Sequence, residues 1–97
     1  MQFEEHLQRQ MENPEYRREY NELRPLLDIG MEVSRIRYER NLSLAELAKL
    51  TRVSRRTLSR LEHFVGNPKL SVLNKIAQST GRVLRVRFEE ESDEAFA

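Results

Sequence analysis

The stretch LSLAELAKLTRVSRRTLSRLEHFVGNPKLSVLNKIAQSTG, residues 42–81, decides the fold. It opens on SLAE (43–46), a capping box in which Ser43 caps a helix and Glu46 reaches back to the cap. Leu47, Ala48 and Leu50 form the apolar side of that helix. Thr51-Arg52-Val53-Ser54 leaves room only for a turn and a second cap. Leu58 and Leu61 then edge a second short helix that runs to about His63. A loop with Gly66, Asn67 and Pro68 follows, and Leu70, Leu73, Ile76 and Ala77 make one more helical face. Gly81 is a suitable helix stop. Arg55 and Arg56 crowd the first turn of the middle helix. Backbone N–H groups there carry partial positive charge, and a cation costs roughly 0.3–1 kcal/mol. Such a placement suits an anionic partner better than water.

Towards the N-terminus, Phe3, Leu7 and Met11 form an i, i+4, i+8 stripe on a first helix. Asn13-Pro14 ends it and starts a second, with Asn13 as cap and Pro14 at the first helical position. Tyr16, Tyr20 and Leu23 line that helix, and Pro25 is expected to break it. A longer helix follows, with Leu26, Ile29, Val33 and Ile36 inward, ending near Asn41. After Gly81 the period changes: Leu84, Val86 and Phe88 alternate with Arg85 and Arg87. A period of two predicts a half-buried strand. It is the only strand expected, and a lone strand seeks a partner, most simply its own copy across a two-fold axis. The expected fold class is therefore all-α with one short C-terminal strand, paired across a homodimer. The divisions are 1–24, an N-terminal helical segment; 25–81, a helical domain built around residues 42–81; 82–90, a dimerisation strand; and 91–97, an acidic tail.

The chain has 97 residues, the size of one small domain, and a net charge of +1. That balance hides an asymmetry. Residues 1–40 hold 7 basic and 9 acidic side chains, residues 41–88 hold 10 and 2, and residues 89–97 hold 5 acidic and no basic ones. A basic middle between acidic ends points to a polyanion held by the middle alone. There is no cysteine and there are only two histidines, His6 and His63, so neither a disulfide framework nor a metal site is expected. No cofactor is expected. No apolar run is long enough to span a membrane and no apolar signal segment opens the chain, which predicts a cytoplasmic protein. No phosphate-binding glycine loop and no nucleophile–base pair is present, so an enzyme is not expected.

Residues 42–81 resemble the helix-turn-helix of the Cro and phage-repressor type, the XRE family, over Leu47, Ala48, Val53, Ser54, Leu58, Leu61, Glu62, Asn67, Pro68, Leu70, Leu73, Ile76, Ala77 and Gly81. The resemblance implies that the helix beginning at Ser54 enters the major groove of double-stranded DNA. It places Arg55, Arg56 and Arg60 at base edges, with Ser59 or Thr57 as further candidates, and arginine at these positions favours at least one guanine in each half-site. Backbone contacts are implied for Ser43, Ser54, Thr57, Asn67 and Lys69. Arg37 and Glu62 fall where relatives place an ion pair joining the long helix to the recognition helix. Two positions depart from the pattern. Leu44 replaces a phosphate-anchoring glutamine, and Arg52 replaces a glycine in the turn. A non-glycine residue at positive φ is disfavoured, so the turn is expected to adjust, with Arg52 adding a phosphate contact.

The ends add a second resemblance. NPEYRREYNELRPLL (13–27) looks like the N-terminal segment of HigA-type antitoxins, which are paired with a RelE-fold toxin, an mRNA-cleaving ribonuclease. A strand after the DNA-binding domain recurs in dimeric antitoxins of this class. The implied function is an antitoxin that neutralises a RelE-fold toxin and, as a homodimer on an inverted-repeat operator, represses its own operon. Phe3, Leu7, Met11, Tyr16 and Tyr20 would anchor the toxin, and Leu84, Val86 and Phe88 would form the dimer interface. The alternative is a free-standing XRE-type regulator or phage repressor with no toxin partner.

Overall fold

In the computed structural model, residues 2–91 are described, with side chains from Glu4 onward. The side chain of Phe3 and the tail from residue 92, assigned above as a toxin anchor and an acidic tail, lie outside the described residues. Five helices follow in order: α1 (Gln2–Met11), α2 (Pro14–Glu39), α3 (Leu44–Thr51), α4 (Arg55–Glu62) and α5 (Leu70–Ser79). The chain divides into two compact units: Pro25–Arg85, and the segments up to Arg24 and from Val86.

In the larger unit, the second half of α2 and helices α3, α4 and α5 enclose one core of Val33, Ile36, Leu47, Val53, Leu58, Leu61 and Ile76. Leu47, Leu58 and Leu61 are fully buried. Each sits at helical spacing from a neighbour on its own element, so the apolar period translates directly into this core. Two buried hydroxyls are satisfied locally. Thr51 donates to the Leu47 carbonyl at 2.8 Å, and Thr80 to the Ile76 carbonyl at 2.6 Å. In the smaller unit, Asn13 caps α2 by accepting the Glu15 N–H at 2.9 Å, and Pro14 takes the first helical position. Met11 is buried, and Asn21 donates to Glu91 at 3.3 Å.

Three expectations are corrected. There is no strand among the described residues: Arg82–Glu91 runs without regular structure, so the class is all-α and the C-terminal strand of 82–90 is absent. Alternation favours an open backbone, but a strand exists only as a ladder, and no second strand lies among the described residues. Leu84 is half-buried and lines a groove with Ile29, Ile36, Leu73 and Ile76. Val86 and Phe88 are exposed. Pro25, expected to break the helix, lies inside α2. Its fixed φ is helical, and it forfeits only the bond to the Asn21 carbonyl, at a position where the proline itself is exposed. Leu50 and Leu70, read as core, are exposed, because the short α3 and the start of α5 bury narrower faces than their apolar content suggests. No helix among the described residues is long and apolar enough to cross a membrane.

Candidate nucleic-acid interface

Helices α3 and α4 pack directly on one another across a three-residue turn of Arg52, Val53 and Ser54. The first is opened by a complete capping box. Ser43 Oγ accepts the Glu46 N–H at 3.1 Å, and the Glu46 carboxylate accepts the Ser43 N–H at 2.9 Å. Those bonds from Ser43 hold the Glu46 carboxyl below its ordinary range. Helix α3 ends at Arg52, which takes the left-handed conformation with φ 60° and bonds its N–H to the Ala48 carbonyl at 2.9 Å. The turn therefore keeps a glycine-like geometry, and the adjustment expected of it does not occur. Packing of Leu47 and Val53 on either side fixes the chain direction and outweighs the local strain.

Ser54 caps α4, accepting the Thr57 N–H at 3.1 Å while donating to Thr57 Oγ1 at 2.8 Å. The Ser54 hydroxyl hydrogen is thus used inside the protein. The Ser43 and Thr57 hydroxyl hydrogens have no recorded partner among the described residues and are free to donate outward. Leu44 packs against the core in place of reaching outward.

The outer face of α4 is polar. Leu58 and Leu61 point inward, and Arg55, Arg56 and Arg60 are exposed, with Ser59 half-buried beside them. Among the described residues, no ion pair neutralises Arg52, Arg55, Arg56, Arg60 or Lys69, whereas Arg35, Arg37, Arg82 and Arg87 are each bound to a carboxylate. The first turn of α4 contains no acidic residue to offset its arginines. Asn67 is exposed, and Lys69 stands at the N-cap of α5 without making a side-chain cap bond, although its carbonyl accepts the Val72 N–H at 3.0 Å. His63, passed over in the sequence, shares this face. It follows Arg56 by two helical turns, a relation that shows only once the helix and its buried face are known.

The far end of α4 is locked onto α2. The Val65 N–H bonds the Arg60 carbonyl at 2.8 Å and the Phe64 N–H bonds that of Leu61 at 3.0 Å, a Schellman motif with Phe64 at φ 60°. Helix α2 ends the same way at Asn41, and α5 at Gly81. Phe64 pays for its strained backbone by laying its ring over Gly30 of α2. A Cβ on Gly30 would stand 2.3 Å from the Leu61 carbonyl oxygen and 2.6 Å from Phe64 Cδ1. Beside this contact, Glu62 accepts from Ser34 Oγ at 2.7 Å and from Arg37 Nε at 3.1 Å. Partial burial pulls the Arg37 pKa down, but the hydrogen bond and charge of Glu62 outweigh it and hold that pKa above the ordinary range. Arg37 also lies 4.8 Å from the centre of the Tyr38 ring. The recognition surface is thus carried on a helix fixed at both ends.

The remaining assigned residues lie elsewhere. Met11 is inside the chain's own packing, and Leu7, Tyr16 and Tyr20 are half-buried. No cluster of His, Asp or Glu able to hold a metal occurs among the described residues. A family model described as helix-turn-helix matches residues 33–83, the span from the middle of α2 to just beyond α5. No match was found among curated proteins or among solved structures.

Proposed function

The chain belongs to the helix-turn-helix family, as a DNA-binding transcriptional regulator of the XRE type, and on that premise we propose that it is a sequence-specific repressor and the antitoxin of a RelE-fold ribonuclease. The observation that carries the repressor reading is the set of unneutralised arginines on the outer face of α4. In this reading Arg55 and Arg56 contact guanine edges, with Arg60 and Ser59 beside them. Ser43, Arg52, Thr57, Asn67 and Lys69 hold phosphates. Two copies place their α4 helices about 34 Å apart, one turn of DNA, so the operator is an inverted repeat. Leu84, Val86 and Phe88 are the proposed contact between copies.

The experiment is affinity on a panel of duplexes from upstream of the gene, at fixed salt. Arg55→Ala or Arg56→Ala should cost roughly 1–3 kcal/mol on the preferred duplex and relax one base position per half-site. Lys69→Ala should weaken all duplexes alike. Equal losses on preferred and random DNA for both arginines would refute the base-reading roles.

The antitoxin role is supported by the resemblance of residues 13–27 to HigA-type segments and by the acidic character of residues 1–40, which suits a basic toxin. The proposed anchors are Phe3, Leu7, Tyr16 and Tyr20, with Met11 reinforcing them from within. Co-expression with the neighbouring open reading frame tests this reading. Tyr16→Ala with Tyr20→Ala should abolish protection while preserving DNA binding. An intact chain that binds no toxin would make a free-standing regulator the correct reading.

A further inference from the structure

We propose that His63 is a proton-linked phosphate contact: it joins the DNA interface by taking up a proton at Nε2 when the complex forms. The inference rests on α4 being the recognition helix and adds a pH dependence to it.

At about 100° per residue, His63 falls within roughly 20° of Arg56 on the helix face opposite Leu58 and Leu61. It is exposed. Its Nδ1 lies 2.7 Å from the Ser59 carbonyl oxygen. A carbonyl only accepts, so Nδ1 carries the hydrogen. In the neutral ring, Nε2 is then a bare lone pair on an exposed side chain. A lone pair cannot bond a phosphate oxygen. A proton from solvent converts Nε2 into a donor, and the phosphate in turn favours the charged ring. The Nδ1 bond also orients the ring, as a second nitrogen does for a histidine that must present the other.

The charged groups beside the ring are cations, with no anionic partner for it among the described residues. On its own face stand Arg56 and Arg60, both cationic. The adjoining carboxylate, Glu62, is turned away onto Ser34 and Arg37 of α2. The loop that follows, residues 64–69, contributes Lys69 as its only ionisable side chain. On α3, Glu46 is held in its capping box. No recorded anion pairs with the imidazole, so the phosphate is the counterion the site lacks among the described residues.

The test is fluorescence anisotropy of the full chain on a random-sequence duplex of about 30 base pairs, titrated with salt at roughly pH 6 and pH 8, because a phosphate contact is independent of sequence. Wild type should bind up to about tenfold tighter per pH unit of acidification. Its salt slope should steepen at the lower pH by up to about 0.9, the equivalent of one phosphate. His63→Gln should bind with the same slope at both pH values. His63→Arg should show the steeper slope at both. His6→Gln should titrate like wild type. Helical circular dichroism in each variant separates a lost contact from a lost fold. A His63→Gln variant that keeps the pH shift, or a His63→Arg variant that keeps the shallow slope, overturns the proposal while leaving DNA binding intact. A wild-type chain that binds no duplex at either pH overturns both this and the repressor reading.

Discussion

Arg52 holds a left-handed backbone that glycine adopts without penalty. Arg52→Gly should therefore raise stability by roughly 0.5–1 kcal/mol, the relief of strain exceeding the extra entropy of the unfolded chain. The same substitution should lower the salt slope of DNA binding by about 0.9 if the guanidinium meets a phosphate. Urea unfolding and a salt titration measure the two effects separately. A variant that is less stable would show that the arginine stem packs on the protein. Gly30 presents the opposite case. Gly30→Ala sets a methyl against the Leu61 carbonyl and the Phe64 ring, and should destabilise by about 2 kcal/mol or more in thermal unfolding. Neither residue had its meaning on the surface of the sequence. The strain at Arg52 was visible only as a departure from a family pattern. The need for Gly30 depends on a helix more than 30 positions away, which no local pattern reports.

Helix α3 spans eight residues, too short to be stable without its termini. Ser43→Ala should cost about 1 kcal/mol through loss of the cap. The Glu46 half of the box adds a pH signature. Its folded pKa lies below the ordinary value, so its contribution is fully present above the unfolded carboxylate pKa of about 4.3 and is lost as pH falls through the depressed folded value. The stability difference between wild type and Glu46→Gln should therefore be present at neutral pH and vanish in acid, as followed by urea unfolding across that range. Elements with this kind of local signature were legible: the capping box, the Ser54 cap, Asn13-Pro14, the Gly81 stop and the apolar faces of α4 and the second half of α2. The elements that misled needed information from outside themselves. The alternation of Leu84, Val86 and Phe88 is a statement about side chains, while a strand is defined by a neighbour's backbone. Pro25 is a local breaker overridden by helix on both sides. Within the candidate site, the arginines were legible by their misplaced charge. His63 was not, because a single histidine carries no pattern until the helix face around it is known.

At the scale of the whole molecule, charge and architecture divide the chain differently. The basic excess sits in residues 41–88, whereas the compact units divide at Pro25 and Val86. Helix α2 therefore belongs to both units, and a single proline lies where its membership changes. This has a consequence for amide hydrogen exchange. Helical amides normally gain protection together, because each bond is braced by the next. Pro25 has no N–H, so the ladder lacks one rung at the Asn21 carbonyl. The two halves of α2 should then open as parts of different cooperative units. Amides after Pro25 should exchange with the slow, global unfolding of the helix-turn-helix core, and amides of residues 17–24 with the faster opening of the N-terminal unit. Mass-resolved exchange on peptides from either side would show a step in protection inside one unbroken helix. A smooth gradient would instead mean that the helix melts as one body, so that a partner grasping its first half would be felt directly by the half that carries Arg37.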